Sequence, residues 1–139
     1  MTRIAAPVFI DTGAWIALAV TRDVHHIEAT SIWAKLERSG AKLYTSVPIV
    51  IETFTFLDRN TQRNVALGWR RALDATSRLR LWECTRADLE VSWKYFERPD
   101  LHRLSAVDAT SFAIMERTRL KIAFTFDHHF AMVGFRAAG

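Results

Sequence analysis

The sequence predicts an α/β domain with a mostly parallel sheet and helices on both faces. Two observations carry this. Short apolar runs such as Val8-Phe9-Ile10 and Lys42-Leu43-Tyr44-Thr45 read as strands, the first buried on both faces. Longer segments with helical spacing separate them, in the order strand, helices, strand, helices, strand, helices, strand. The chain has no internal repeat, low-complexity segment or linker, so its 139 residues read as one domain spanning 1–139.

Taken in order, Val8-Phe9-Ile10 is followed directly by Asp11, then by the helical run Ala14-Trp15-Ile16-Ala17-Leu18-Ala19. A polar loop leads to an amphipathic helix over 27–38, with Ile27, Ile32, Trp33 and Leu36 as its apolar residues and Ser39-Gly40 as its stop. The second strand, 42–45, runs into a helix capped by Ser46, with Pro48 in its first turn, reaching about Leu57. Asn60 or Thr61 is expected to cap the next helix, to about Ala75. Leu79-Arg80-Leu81-Trp82-Glu83 alternates as a strand. Thr85 and Asp88 form a capping-box pattern for a helix to Phe96, and a loop with Pro99 follows. Ser105 opens a helix to about Thr118, Lys121-Ile122-Ala123-Phe124 is a strand, and Val133-Gly134-Phe135 is expected as an edge strand.

Composition sets broad bounds. At 50% hydrophobic and 24% charged residues, the chain is ordinary globular protein, and its net charge of +4 suits an anionic partner. Cys84 stands alone, which rules out an internal disulfide and a cysteine metal cluster and fits a reducing cytoplasm. No apolar stretch is long enough to span a bilayer. Arg3 and the apolar run to Val20 resemble a signal peptide, but Asp11 interrupts that run near its middle.

Four acids stand out. Asp11 lies at the carboxyl end of a strand, where open parallel sheets bind ligands, though it could equally be the N-cap of the next helix. Glu52 sits among large apolar residues in Ile49-Val50-Ile51-Glu52-Thr53-Phe54, where a carboxylate is costly unless paired or bound to a cation. Asp108 is spaced from Ser105 as a capping box, a role compatible with facing a cleft. Asp127 repeats the placement of Asp11 beyond the strand that ends at Phe124, with a turn aspartate or N-cap as its structural alternative. In a parallel sheet all four can converge at the carboxyl edge. Clustered carboxylates repel and raise one another's pKa, and such a cluster usually holds a divalent cation. Oxygen ligands without Cys or a paired-His motif favour Mg²⁺ or Mn²⁺ over Zn²⁺.

Val8-Phe9-Ile10-Asp11-Thr12, Thr45-Ser46 with Glu52-Thr53, Leu104-Ser105-Ala106-Val107-Asp108 and Ala123-Phe124-Thr125-Phe126-Asp127-His128-His129-Phe130 together resemble the PIN-domain nucleases, most nearly the VapC-type toxins of toxin–antitoxin modules. The likeness covers essentially the whole chain. It implies an α/β/α sandwich, metal-dependent endoribonuclease activity with Mg²⁺ or Mn²⁺, a homodimer and a cognate antitoxin. It carries the acidic roles to Asp11, Glu52, Asp108 and Asp127, with Thr12 and Thr125 in support. Relatives often have another acid before the Ser-x-x-Asp segment; Asp100 is displaced by one residue from that place and is left out of the site.

Other residues have plainer readings. His26 matches the family pattern better than His25, while His128 and His129 flank Asp127; each is more simply a loop or surface residue. The five tryptophans read as core or dimer interface. Arg63, Arg70, Arg71, Arg78 and Arg80 could hold an RNA backbone or form a solvated face. A non-catalytic PIN-like module that binds RNA or protein is the alternative function. A phosphoacceptor receiver domain is a remoter one, since Asp11 is followed by Thr12-Gly13 rather than by a second acid.

Overall fold

The computed structural model describes residues 5–139; Arg3, part of the signal-like segment, lies outside them. Five strands form one sheet: β1 (Val8–Ile10), β2 (Leu43–Ser46), β3 (Leu79–Trp82), β4 (Ile122–Phe124) and β5 (Arg136–Ala137). Their order is β3-β2-β1-β4-β5 and every pairing is parallel. Among the described residues seven helices flank it: α1 (Thr12–Ala19), α2 (His26–Ser39), α3 (Val47–Asn60), α4 (Arg63–Asp74), α5 (Arg86–Tyr95), α6 (Ala106–Thr118) and α7 (His129–Met132). This is an α/β/α sandwich. No helix among the described residues is long and apolar enough to cross a membrane.

The sheet's centre is its most apolar part. Val8, Phe9 and Ile10 are all buried, because β1 has strands on both sides and helices above and below. Chain order reverses between β1 and β4: from β1 the sheet grows through β2 and β3 on one side and through β4 and β5 on the other. Such a switch point opens a crevice at the carboxyl ends of the strands. Ile10 pairs with Phe124, so the residues that follow, Asp11 and Thr125, emerge side by side into it.

Several local expectations change. Thr61 does not open α4; its hydroxyl donates to the Leu57 carbonyl and ends α3, and Gln62 takes the N-cap position without a side-chain bond. Ile27 is 85% exposed, and α2 buries Ala29, Ile32 and Leu36 instead. The edge strand forms at Arg136–Ala137 rather than 133–135, because Gly134 takes a φ of +101° and turns Phe135 onto Phe112, 6.1 Å between ring centroids. The Thr85/Asp88 capping box is complete in both directions.

Candidate functional site

The crevice at the switch point is an open cleft of about 570 Å³. Asp11, Glu52, Asp108 and Asp127 all line it, together with Thr12 and His129. Asp11 arrives from β1, Glu52 from the second turn of α3, Asp108 from the first turn of α6, and Asp127 from the turn after β4. Among the described residues lining the cleft, none is Lys or Arg.

Asp11 is 3% exposed. It holds the N-cap position of α1 but makes no side-chain cap bond. Its Oδ2 accepts from the Thr125 hydroxyl at 2.9 Å, while Oδ1 is buried with no partner. Burial pushes its pKa up to about 7, with the charges of Asp127 and Glu52 adding to the rise and the Thr125 bond opposing it.

Asp108 has only part of the cap predicted for it. Its N–H donates to Ser105 Oγ at 3.0 Å, but its carboxylate returns no bond to the Ser105 backbone. That carboxylate is left to the cleft. Burial, then the charge of Asp11, then contact with Asp127 raise its pKa. Asp127 shifts the other way. Burial works against its ionisation, but the His129 N–H, Asp108 and the His129 ring hold it below the usual carboxylate range. Its Oδ1 accepts from the His129 N–H at 2.8 Å, so the turn role expected of it coexists with its place in the cleft.

Glu52 is only half-buried. Its helix is not apolar-buried on every face: Ile49, Thr53 and Leu57 point inward, while Ile51 is 62% exposed. Glu52 is therefore partly open to the cleft, not enclosed by apolar side chains as its flanking sequence suggested. Thr12 Oγ1, like Asp11 Oδ1, is buried without a partner.

Asp88 provides a contrast. It is equally buried, at 3% exposure, yet every demand is met: the Thr85 N–H donates at 2.9 Å and Arg117 donates to both carboxylate oxygens, at 2.8 and 2.9 Å. A buried acid with a structural role in this fold has a cation and a donor. Among the described residues, Asp11 and Asp108 have no Arg or Lys partner. Three buried polar atoms without a hydrogen-bond partner among the described residues, Asp11 Oδ1, Thr12 Oγ1 and His129 Nδ1, belong to this one cleft. Hard oxygen donors converging without a counter-charge fit Mg²⁺ or Mn²⁺.

The histidines fall differently from the sequence reading. His26 Nδ1 lies 2.7 Å from the Ala17 carbonyl, away from the cleft. His25 instead stacks on Phe126, at 4.3 Å and 3° between planes, and Phe126 lines the cleft. His128 is exposed at the rim. His129 is buried, not a surface residue. Phe130, which follows it, is buried as well, but the contact that holds the His129 ring inward is with the distant His102 carbonyl. Asp100 is exposed and forms a two-bond pair with Arg98.

The PIN domain family model matches residues 8–136. The 23S rRNA-specific endonuclease VapC20 of Mycobacterium tuberculosis is 34% identical over 129 residues, covering 92% of this chain and 95% of the relative. The crystal structure of that protein, described as a Sarcin-Ricin loop cleaving toxin, superposes with a TM-score of 0.82 at 31% identity, over 92% of this chain and 95% of that one. A toxin–antitoxin complex from Klebsiella pneumoniae (TM-score 0.60, 20% identity, 89% and 88% covered) and VapBC2 from Rickettsia felis bound to promoter DNA (0.67, 10%, 94% and 96%) share the fold.

Proposed function

The chain belongs to the PIN-domain family, and from that premise we propose that it is a divalent-metal-dependent endoribonuclease, the toxin of a toxin–antitoxin pair. The observation that carries this reading is the buried, unpartnered Oδ1 of Asp11 in a cleft it shares with three other carboxylates. The substrate class is ribosomal RNA, by analogy with the relative at 34% identity. Cleavage takes place in the cytoplasm, and the whole span 1–139 acts as a single nuclease domain.

In this reading Asp11, Glu52, Asp108 and Asp127 hold Mg²⁺ or Mn²⁺. When bound, such an ion activates water and offsets charge on the phosphate under attack. The chain's own part is orientation. Thr125 donates to Asp11 and accepts from the Asp127 N–H, so one hydroxyl fixes two of the acids relative to each other. Thr12 borders the same cleft in a supporting place. Among the described residues lining the cleft none is Lys or Arg, so the positive charge that admits a phosphate would come from an ion held by these four acids. Phe126, backed by His25, offers an aromatic face beside it on which a splayed base could stack.

A homodimer and an antitoxin complete the proposal. Ile51, Phe56, Leu81, Leu89 and Trp93 are large apolar residues left exposed on α3, β3 and α5, which supports association through apolar surface.

Purified protein incubated with ribosomal RNA in Mn²⁺ or Mg²⁺ should cut it, and EDTA or Asp11→Asn should abolish cutting. Folded protein that leaves RNA intact in both metals would overturn the proposal.

A further inference from the structure

The acids are not the whole of the cleft's donor set. His129 opens α7, two residues after Asp127, and is 5% exposed. Its Nε2 lies 2.7 Å from the His102 carbonyl oxygen. A carbonyl only accepts, so Nε2 carries the proton, and in the neutral ring Nδ1 is left with a free lone pair. Nδ1 is buried and has no hydrogen-bond partner, although Asp127 Oδ1 is 2.9 Å away; the two atoms are close but not aligned as a hydrogen bond. In the neutral ring that lone pair and the carboxylate oxygen repel at this distance unless a cation lies against both; only a protonated ring attracts Asp127 and lowers its pKa.

The spacing suits one. Ligand atoms of Asp108, Asp127 and His129 all lie within 4.8 Å of one another. Around an octahedral ion with bonds of about 2.0–2.1 Å, adjacent ligand atoms sit about 3 Å apart. Donation of the far ring N–H to a backbone carbonyl is also how metal-binding histidines are oriented.

We propose that His129 Nδ1 binds the divalent cation directly, beside Asp127 and Asp108, so that the site is mixed nitrogen and oxygen rather than all oxygen. This rests on the metal-dependent reading above. Its consequence is selectivity: imidazole suits Mn²⁺ and later transition ions better than Mg²⁺, so the site prefers Mn²⁺. The competing arrangement is an imidazolium paired with Asp127, in which no nitrogen meets the ion.

The test uses Mn²⁺ added to metal-free protein, read by electron spin echo envelope modulation. Directly bound imidazole gives a ¹⁴N coupling. That coupling should persist in His25→Gln, His26→Gln, His102→Gln and His128→Gln, and vanish in His129→Gln. Mn²⁺ affinity should fall roughly tenfold or more in His129→Gln, with a much smaller loss for Mg²⁺. The chain has five histidines, so if His129→Gln does not fold, persistence in the other four assigns the coupling by elimination. Stoichiometric Mn²⁺ binding with no ¹⁴N coupling would overturn the proposal and leave the metal site standing. Loss of the coupling in one of the other four variants would also overturn it. Absence of Mn²⁺ binding would remove both this proposal and the metal-dependent reading.

Discussion

The Thr125 hydroxyl sits between two acids: it donates to Asp11 Oδ2 at 2.9 Å and accepts from the Asp127 backbone N–H at 3.0 Å. Among the described residues it is the only side chain that hydrogen-bonds Asp11. Thr125→Val keeps the shape and removes both bonds. Partners of this kind typically affect metal affinity by about 10–100-fold. Mn²⁺ titration of Thr125→Val should show a loss in that range, and Thr125→Ser should recover most of it. Wild-type affinity in Thr125→Val would show that Asp11 is oriented by packing alone.

Asp108 and Asp88 occupy matching places, third in their helices behind Ser105 and Thr85, but only Asp88 closes its capping box. Asp88 also pairs with Arg117. Asp88→Asn should therefore cost about 1.5–3 kcal/mol, the range for hydrogen bonds to a charged group. Asp108→Asn should leave metal-free stability unchanged or raise it, since burial and the neighbouring acids raise the pKa of folded Asp108 above that of the unfolded chain, a cost that Asn does not carry. It should also shrink the thermal stabilisation given by Mn²⁺, which acts through binding to the folded state. Urea melts of both variants in EDTA, with thermal melts in Mn²⁺, separate the two roles. An undiminished Mn²⁺ shift in Asp108→Asn would take Asp108 out of the metal site.

The fold was legible where local chemistry and tertiary placement agree. Val8-Phe9-Ile10 read as a strand buried on both faces, and the acid at its end, for which an N-cap role was an equal alternative, faces the carboxyl edge without making a side-chain cap bond. The Thr85 box is a purely local device and was readable as such. Long-range partners were not. Nothing in the neighbourhood of Asp88 names Arg117, which lies 29 residues away, and nothing near Asp108 says that its cap bond is one-sided. His129 was misjudged because its burial depends on the His102 carbonyl, 27 residues earlier. His26 was preferred over His25 on pattern alone, yet the Ala17 carbonyl holds its ring away from the cleft.

The mid-chain arginines are less free than their number suggests. Arg63 pairs with Asp58 at 2.8 Å, and Arg70 lies 3.9 Å from Asp74. Among these side chains, Arg71, Arg78 and Arg80 are exposed and have no ion-pair partner within the described residues, and Arg78 donates to the Glu37 carbonyl. Binding to single-stranded RNA in EDTA should weaken as salt rises, since neutralised phosphates release counterions. Arg71→Gln with Arg80→Gln should flatten the slope of log affinity against log salt by about 0.7 for each phosphate no longer neutralised. An unchanged slope would place both residues outside the RNA footprint.

Metal-free protein should be more stable at pH 5 than at pH 8. Burial holds the Asp11 pKa at about 7 in the folded state, against 3.8 for an ordinary aspartate. Between those values the unfolded chain has already lost the proton that folded Asp11 keeps. The unfolded state thus binds fewer protons, and stability falls as pH rises through this window. Asp108, also raised, adds to the fall over the same range and beyond it. Asp127 runs the other way, but its lowered pKa places its contribution below the ordinary aspartate value of 3.8, outside the window. A bound cation reverses the preference, because it needs the ionised carboxylates and displaces their protons. Mn²⁺ affinity should therefore climb from pH 5 to pH 8, and the stability difference between those pH values should shrink or change sign at saturating Mn²⁺. Asp11→Asn should make the metal-free profile shallower above pH 4, leaving the part due to Asp108. Chemical denaturation at several pH values, with and without Mn²⁺, measures all of this. Metal-free stability that rises from pH 5 to pH 8 would mean that Asp11 is ionised in the folded protein without any cation beside it.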